Sequence, residues 1–233
     1  MNIAIIPARG GSKRIPKKNI KYFYGKPIIA WSIEAAIKSK IFDKVVVSTD
    51  DEEIACLSKK FGAEVPFIRP DYISDDMTGT NAVVRHALEW FLNNGHTVDY
   101  ACCIYATSPF VQIEYILKGY KELIESDSSF AFSVAKYPAP IQKSMRIDNS
   151  GRIEALWPKN ISKRSQDLES LYHDAGQFYW GKPEAFINNL EMFSKLSIPV
   201  IIPKYLVQDI DDIEDWKRAE VMFKALLSMG EVD

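Results

Sequence analysis

Cationic side chains are concentrated in a short glycine-containing segment near the amino terminus. Its central turn is Gly10-Gly11-Ser12, and the cations around this turn are Arg9, Lys13, Arg14, Lys17 and Lys18. Glycines let backbone N–H groups approach an anion closely, and the cations add positive charge around it. The spacing fits neither G-x-x-x-x-G-K-[ST] nor G-x-G-x-x-G. We interpret the segment as a phosphate-binding loop, although composition alone fits a solvated basic turn equally well.

A pair of aspartates near the other end of the chain could hold a metal ion. If the chain is extended there, Asp209 and Asp211 project to one face, about 7 Å apart, while Ile210 points into the core. Carboxylate oxygens of this kind suit Mg²⁺ that is shared with substrate phosphates. The alternative is that Asp211 or Asp212 caps the last helix, and both roles can hold together. With the basic loop, the pair predicts a site for a nucleoside triphosphate.

The elements that must position these residues alternate between strands and helices. Apolar runs predict strands at residues 3–7, 44–48, 63–68, 100–105, 130–135, 177–180 and 198–202, with a further extended segment at 205–211. Amphipathic helices are predicted after Pro27 and Asp50, at residues 80–93 and 112–125, after Pro183 and around Trp216. This alternation predicts a doubly wound α/β fold with a mostly parallel, Rossmann-like sheet. Ligands of such sheets bind beyond the carboxyl ends of the strands, where the basic loop begins.

Residues 136–174 interrupt this alternation. The segment contains Tyr137-Pro138-Ala139-Pro140, Trp157-Pro158 and the polar stretch 162–167, and it has no long periodic element. We interpret it as an inserted arm or lid on a core formed by residues 1–135 and 175–233. Arms of this kind often meet a second subunit, so the segment is also a candidate for dimerisation.

The overall composition argues against several classes of function. Over 233 residues the formal net charge is −2, and 47% of the residues are hydrophobic. A near-neutral chain does not favour nucleic-acid binding, so the basic loop indicates a small anionic partner. Cys56, Cys102 and Cys103 lack the spacing of a disulfide framework or a zinc site, which favours a reducing, cytoplasmic location. Neither a membrane span nor a secretion signal is expected from the apolar runs.

Five motifs together resemble those of the CMP-acidic-sugar synthetases, the cytidylyltransferases that activate sialic acid and its relatives. The first motif is residues 5–19, which read IIPARGGSKRIPKKN. The others are Val47-Ser48-Thr49-Asp50, Arg69-Pro70 with Asp76, Thr107-Ser108-Pro109 and Asp209-Ile210-Asp211. The resemblance spans nearly the whole chain, and it implies CTP as the nucleotide and Mg²⁺ as the cofactor.

The resemblance also implies roles for individual residues. It makes Lys18, Arg14 and Asp211 catalytic, with Lys18 stabilising charge at the α-phosphate, and it makes Asp209 and Asp211 the metal ligands. The nucleotide-binding residues that it implies are Ala8, Arg9, Gly10, Gly11, Ser12, Asn19, Arg69, Asp76, Ala106 and Thr107. No general base is evident, and both Asp211 and a metal-lowered acidity of the sugar hydroxyl remain open.

The sugar half of the site is where the sequence departs from the sialic acid branch. Ile104-Tyr105-Ala106 stands where that branch usually has Leu-Gln-Pro, and the pattern after Arg164 is similar to the branch that activates pseudaminic acid. The candidate sugar-binding residues are Tyr105, Arg164, Gln166, His173, Asp174 and Gln177. Their polar groups suit a polyhydroxylated, N-acylated acid sugar, whose carboxylate Arg164 or Lys163 could pair. A purely structural histidine is the alternative for His173, and a core strand for residues 178–180.

The function expected from these observations is transfer of CMP from CTP to the anomeric hydroxyl of an acidic nine-carbon sugar, with release of pyrophosphate. Pseudaminic acid is the favoured sugar, and sialic or legionaminic acid is the alternative. A non-catalytic nucleotide or acid-sugar binding module is the hypothesis from a different class. The resemblance and the arm together suggest a homodimer in which one arm closes the neighbour's sugar site.

Overall fold

A six-stranded sheet lies at the centre of the molecule, which we describe over residues 1–230 of a computed structural model. The strands are β1 (Asn2–Pro7), β2 (Tyr22–Phe23), β3 (Lys26–Pro27), β4 (Lys44–Ser48), β5 (Tyr100–Ile104), β6 (Phe130–Lys136), β7 (Met145–Ile147), β8 (Ile153–Ala155), β9 (Tyr172–Gly181) and β10 (Ser197–Ile201). The helices are α1 (Ile28–Ser39), α2 (Glu52–Lys60), α3 (Thr80–Asn93), α4 (Ile113–Ile124), α5 (Pro158–Ile161), α6 (Pro183–Ile187) and α7 (Ile213–Met229).

The strand order of the central sheet is β10-β6-β9-β5-β1-β4. The pairs β10 with β6, β5 with β1 and β1 with β4 are parallel, whereas β9 runs antiparallel to both of its neighbours. The prediction of a doubly wound, mostly parallel sheet is therefore confirmed. The direction of β9 differs from the rest because an irregular segment returns the chain to the sheet before β9, where a parallel strand would need a crossover helix.

Helices cover both faces of the sheet and bury its β-branched and aromatic side chains. On one face, α1, α2 and α4 pack through residues such as Ile33, Ile54 and Ile116. On the other face, α3 and α6 pack through residues such as Leu88 and Phe186. A third apolar cluster joins α7 to the start of the chain, and its members include Ile15, Phe23, Phe110, Ile210, Trp216 and Phe223. The third cluster brings the two ends of the chain together.

Two of the predicted strands are absent from the described residues. Segment 63–68 makes only an isolated bridge between Val46 and Glu64, because Pro66 cannot donate a ladder hydrogen bond and the chain then leaves the sheet. Segment 205–211 is also not a strand: a 3₁₀ turn occupies Lys204–Leu206, and irregular backbone leads to α7. The expected burial of Ile210 is nevertheless present, because its side chain enters the third apolar cluster.

The inserted segment folds as a small appendage of its own. Its strands β7 and β8 form an antiparallel hairpin. One 3₁₀ turn precedes the hairpin, and α5 and a second 3₁₀ turn follow it. The central sheet extends further into this segment than the predicted boundary at Asp174, since Tyr172 pairs with Lys136 and His173 with Ala135. Among residues 1–230, no helix has the length and apolar character needed to cross a membrane.

Candidate active site

The carboxyl ends of β1, β4 and β5 meet at one edge of the sheet, and a cavity of about 220 Å³ lies beyond them. Parallel pairing of these strands makes the loops that follow them neighbours, although they are distant in sequence. The predicted site residues that line this cavity are Arg9, Ser12, Arg14, Lys18, Asn19, Arg69, Tyr105, Ala106, Thr107 and Asp211. The structure thus brings the basic loop and one of the two aspartates to a single site.

Side-chain and backbone hydrogen bonds hold the basic loop in place. The Gly10 amide donates to Oδ1 of Asp50 (2.9 Å), and the Asn19 amide side chain donates to the Arg9 carbonyl (2.9 Å). A Cβ at position 10 would lie 2.7 Å from a carboxylate oxygen of Asp51, so this close approach to the start of α2 requires glycine. The loop therefore differs from the expected cradle, because a carboxylate of the protein already engages the Gly10 amide.

Ala8 and Gly11 have different surroundings within the same loop. Ala8 is buried and its amide donates to the carbonyl of Ser48 (2.9 Å), so this residue fixes the point where the loop leaves the sheet. A Cβ added at Gly11 would meet nothing within 4 Å, which places this glycine on the open side of the loop. The amide of Ser12 donates to the Gly10 carbonyl (2.9 Å). Gly10 thus has a packing reason to be glycine that Gly11 lacks.

Lys18 and Arg14 connect the loop to the aspartate segment. Nζ of Lys18 donates to the Ile210 carbonyl (2.7 Å), and Nη2 of Arg14 lies 2.8 Å from Oδ1 of Asp211. Burial lowers the pKa of Lys18, while the carboxylates of Asp211 and Asp209 act in the opposite direction. Both cations thus face the acidic segment as well as the cavity, which is the arrangement needed to contact a ligand that carries phosphate and metal together.

Asp76 contacts the loop cations directly. Its two carboxylate oxygens pair with Arg9 and Lys13. These hydrogen bonds hold the pKa of Asp76 below its usual range. In the structure Asp76 therefore lies against the phosphate loop.

Arg69 is a buried cation, and two of its side-chain nitrogens lack an acceptor among residues 1–230. Only 4% of its surface is exposed, and its Nη2 lies 3.5 Å from Oδ1 of Asp50. Within residues 1–230, Nε and Nη2 of Arg69 have no hydrogen-bond partner, although the residue lines the cavity. Burial lowers the pKa of Arg69, and Asp50 counteracts this effect. A buried guanidinium with unsatisfied donors is costly unless an acceptor binds there, so its geometry suits a polar ligand group.

Asp209 and Asp211 have the chemistry that a hard divalent cation requires. Burial and then the nearby carboxylate of Asp211 raise the pKa of Asp209, so the two acids repel each other without a cation between them. Among residues 1–230 no group of three or more His, Cys, Asp or Glu side chains could hold a metal. Two carboxylates fit Mg²⁺, which keeps several waters and takes further oxygens from substrate phosphates.

Asp212 supplies the helix cap that was the alternative interpretation of this segment. Its carboxylate accepts hydrogen bonds from the amides of Glu214 (2.8 Å) and Asp215 (3.0 Å) at the start of α7. Asp215 completes the capping box by accepting from the amide of Asp212 (3.2 Å). The capping role thus belongs to Asp212, and the side chains of Asp209 and Asp211 are left for the site.

A second cavity, of about 530 Å³, adjoins the first through the shared residues Tyr105 and Thr80. Its polar wall contains Asp174, whose carboxylate accepts from the hydroxyl of Tyr179 (2.6 Å) and from the Gly176 amide (3.0 Å). The apolar side chains that line the cavity are Val84, Phe186, Leu190, Met192 and Phe193. This combination suits a ligand that presents both polar groups and methyl groups.

The predicted sugar-binding residues do not all lie together in one chain. Tyr105 and Asp174 line the second cavity, and with His173 they also line a groove of about 950 Å³ that reaches Asp209. Gln177 is buried and its side-chain amide donates to the Leu206 carbonyl (2.5 Å), so it supports the segment before the aspartates. The alternative of a structural histidine also has support, because Nδ1 of His173 lies 2.7 Å from the Asp174 carbonyl.

Gln166 lies on a 3₁₀ turn of the inserted segment, and Arg164 lies directly before this turn. Arg164 is exposed and its Nε donates to Oδ2 of Asp167 (3.0 Å). Gln166 lines a cavity of about 330 Å³, which adjoins the groove beside His173 and Asp174 through the shared residues Pro138 and Lys204. Arg164 lines neither this cavity nor that groove.

The sequence analysis missed several residues of the site. Asp50 was part of a quoted motif, yet its contacts with Gly10 and Arg69 depend on how β1 and β4 pair. Tyr179 was not among the predicted site residues, because the run 178–180 also fits a core strand. In a regular strand Tyr179 and Asp174, which are five residues apart, would face opposite sides. A register shift between Phe132 and Val134, with Gly176 at φ +63°, brings them to the same side.

The chain is similar in sequence to known cytidylyltransferases. The sequence profile of the cytidylyltransferase family matches residues 3–198. A pseudaminic acid cytidylyltransferase of Campylobacter jejuni is 42% identical over 223 residues, which cover 96% of each chain. A CMP-N,N'-diacetyllegionaminic acid synthase of Legionella pneumophila is 30% identical, over 95% of this chain and 96% of that one.

A solved structure of CMP:2-keto-3-deoxy-manno-octonic acid synthetase complexed with CTP shares the fold. Its TM-score is 0.71 at 14% sequence identity, and the match covers 96% of this chain and 98% of the other. The resemblance noted in the sequence is thereby confirmed, and the alternative of a non-catalytic binding module loses its support. The basic loop, the paired aspartates and these matches lead to one conclusion: the chain belongs to the cytidylyltransferase family, and it is a nucleotidyltransferase.

Proposed function

We propose that this enzyme transfers CMP from CTP to the anomeric hydroxyl of a nonulosonic acid, with pseudaminic acid as the favoured substrate. The observation that carries the proposal is the adjacency of two unlike cavities, one basic and one with a carboxylate among apolar walls. Tyr105 and Thr80 belong to both cavities, so a nucleotide in the first and a sugar in the second would meet at their junction. The 42% identity to an enzyme named for pseudaminic acid supports this choice of sugar.

In this proposal the basic cavity binds CTP. Arg9, Ser12 and Asn19 would contact the phosphates from the loop, and Ala106 and Thr107 would lie along the nucleotide. Arg69, with its two unsatisfied donors, would bind a carbonyl oxygen of the base or a hydroxyl of the ribose. Arg14 and Lys18 would neutralise charge that develops at the α-phosphate as the sugar hydroxyl attacks and pyrophosphate leaves.

We propose that Asp209 and Asp211 hold Mg²⁺ in the working enzyme. The ion would supply positive charge next to the reacting phosphate when it is bound. Asp211 lines the cavity directly, so its carboxylate is also placed to accept the proton of the attacking hydroxyl. Lys18, which is hydrogen-bonded to the residue between the two aspartates, would keep this segment at the phosphate end of the site.

We propose that Asp174, Tyr179 and Tyr105 form the sugar site. The carboxylate of Asp174 is an acceptor for amide or hydroxyl donors of the sugar, and the apolar wall would contact its methyl groups. An N-acylated deoxy sugar has both kinds of group. In a dimer with an exchanged arm, Arg164 and Gln166 of the second chain would also approach this site.

We propose that the enzyme is a homodimer and that residues 136–174 form its exchanged arm. Ile147 and Ile153 are cross-strand neighbours on one face of the hairpin, and they are 76% and 71% exposed. A two-stranded hairpin with an uncovered apolar face is marginal in water, so a partner surface would stabilise it. The groove beside Asp174, which Met222, Leu226 and Met229 line, is an apolar surface of suitable size. Since CTP is a cytoplasmic metabolite, we place the enzyme in the cytoplasm.

The test is pyrophosphate release from CTP by the purified enzyme with Mg²⁺ and a panel of acid sugars. We expect turnover with pseudaminic acid to exceed turnover with legionaminic and sialic acids, and no release without a sugar. Preference for sialic or legionaminic acid would overturn the sugar assignment but keep the reaction class. Failure with every nonulosonic acid, in enzyme that still binds CTP, would overturn the proposed acceptor class.

A further inference from the structure

We propose that Asp215 is a positioning residue that holds the metal-directed carboxylates of Asp209 and Asp211 in place. The inference rests on the proposed metal role of those two aspartates. Asp215 lies in the first turn of α7 and is a member of the capping box. Its contacts reach beyond that motif.

The carboxylate of Asp215 fixes three points of the segment before the helix. Oδ2 accepts hydrogen bonds from the amides of Asp211 (3.0 Å) and Asp212 (3.2 Å). Oδ1 accepts from the side-chain amide of Gln208 (3.2 Å), which also donates to the Asp209 carbonyl (2.6 Å). One helical side chain therefore binds the backbone directly after Ile210, and through the Gln208 side chain it is linked to the Asp209 carbonyl before Ile210.

The segment needs such support because it belongs to no regular element. Residues 207–212 are in neither a strand nor a helix, so no ladder of backbone hydrogen bonds sets their conformation. Other restraints are the burial of Ile210, the hydrogen bond from Lys18 to its carbonyl and the ion pair of Arg14 with the Asp211 side chain. Without the Asp215 carboxylate, the amides of Asp211 and Asp212 lose this acceptor and Gln208 loses one of its two, so we expect the backbone that carries the two aspartates to be held less firmly.

The capping box provides a matched control inside the same motif. Asp212 accepts only from the helix's own amides, Glu214 and Asp215, whereas Asp215 accepts from the aspartate segment. Loss of either side chain should weaken the start of α7 by a similar amount. Only the loss of Asp215 should disturb Asp211.

The experiment compares Asp215→Ala with Asp212→Ala by calorimetric titration of Mn²⁺ into enzyme and CTP, without any acid sugar, so that no turnover occurs. We expect Asp215→Ala to weaken Mn²⁺ binding about tenfold or more, as for other residues that orient metal ligands, and Asp212→Ala to change it less than about threefold. Asp215→Asn, which keeps an acceptor oxygen, should give an intermediate value. Thermal unfolding should show comparable losses of stability for the two alanine variants.

Equal weakening of Mn²⁺ binding in both alanine variants would overturn the inference and assign the effect to helix capping. Unchanged binding in Asp215→Asn and Asp215→Ala would overturn it as well. If the unmodified enzyme binds no divalent cation with CTP, the metal role fails, and the inference fails with it. If it binds Mn²⁺ with the expected Asp215 effect but activates no acid sugar, the inference stands and the proposed acceptor does not.

Discussion

Arg14 and Asp211 form a 2.8 Å ion pair across 197 positions of the sequence. The pair joins a cation that we assign to phosphate with a carboxylate that we assign to metal. Binding of a metal–triphosphate complex would separate them, because the arginine would turn to phosphate oxygen and the carboxylate to the cation. The phosphate would thus replace Asp211 as the partner of Arg14, and the metal would replace Arg14 as the partner of Asp211, so neither side chain would be left unpaired.

Arg14→Ala should lower kcat/KM for CTP about 10²-fold with little loss of stability. On the proposed assignment the arginine donates to the reacting phosphate in the transition state, whereas an exposed pair adds only about 0.2–1 kcal/mol to folding. Pyrophosphate release and thermal unfolding measure the two effects. Lys17→Ala is the matched control, since Lys17 belongs to the same loop as Arg14 but pairs with Glu53 of α2. Equal effects of both variants on activity would contradict a specific role for Arg14.

Lys18→Ala should lower turnover by about 10²-fold or more, and the alkaline limb of the pH profile should depend on Lys18. Burial lowers its pKa, so kcat/KM should fall, as the pH rises, at a lower pH than for an ordinary lysine. Lys18→Arg keeps a positive charge at high pH, and its alkaline limb should move upward. An alkaline limb that stays in place in Lys18→Arg would assign the titration to another group.

Asp209→Asn should increase the Mg²⁺ concentration needed for half-maximal activity about tenfold or more, because a neutral amide is a weaker ligand than a carboxylate. The measurement is the Mg²⁺ dependence of pyrophosphate release at saturating CTP. Asp167→Asn is a suitable control, since that aspartate pairs with Arg164 in the inserted segment. A metal titration that Asp209→Asn leaves unchanged would argue against the metal site.

Tyr179→Phe should raise KM for the acid sugar several-fold while KM for CTP stays within about twofold. The substitution removes the hydroxyl that donates to Asp174 (2.6 Å), so the carboxylate loses one of its two protein donors. Tyr120→Phe provides the comparison, because its ring packs on Trp180 at the opposite face of the sheet. A parallel rise in both KM values would contradict the assignment of Tyr179 to the sugar.

Ile147→Asp combined with Ile153→Asp should convert a dimer to a monomer and reduce turnover. The two carboxylates would lie opposite each other on the apolar face of the hairpin, where burial against a partner is costly. Sedimentation velocity gives the oligomeric state. The control exchanges Arg146 and Glu154 for alanine on the opposite face, where they form an exposed pair. A monomer in the unmodified enzyme would contradict the dimer proposal at once.

The sequence predicted the elements whose patterns are local. The helix over Thr80–Asn93 matched its predicted bounds because its apolar side chains recur at helical spacing throughout. The basic loop was found for a similar reason, since its five cations lie within ten residues of the chain. Elements whose state depends on distant partners were harder: segment 63–68 has the composition of a strand, but Pro66 prevents regular pairing there.

The residues that the sequence did not reveal are those that tertiary geometry brings together. The contact between Asp174 and Tyr179 needs the register shift in β9, which no composition pattern reports. Gln177 is the opposite case: it was predicted to bind the sugar, but its side-chain amide donates a hydrogen bond to the Leu206 carbonyl. A polar side chain of one type can line a cavity or make an internal hydrogen bond, and only its neighbours in the folded structure show which of these it does.

The antiparallel direction of β9 has a consequence for how such an enzyme can diverge. A parallel strand would bring its carboxyl end to the ligand edge, whereas β9 brings its amino end there, directly after the inserted segment. On the proposed assignment, the inserted segment and two polar residues of the sugar site, Asp174 and Tyr179, lie in one continuous stretch of sequence, residues 136–179. Mutation within that stretch would then change the polar contacts of the acceptor without altering the nucleotide loop at residues 8–19.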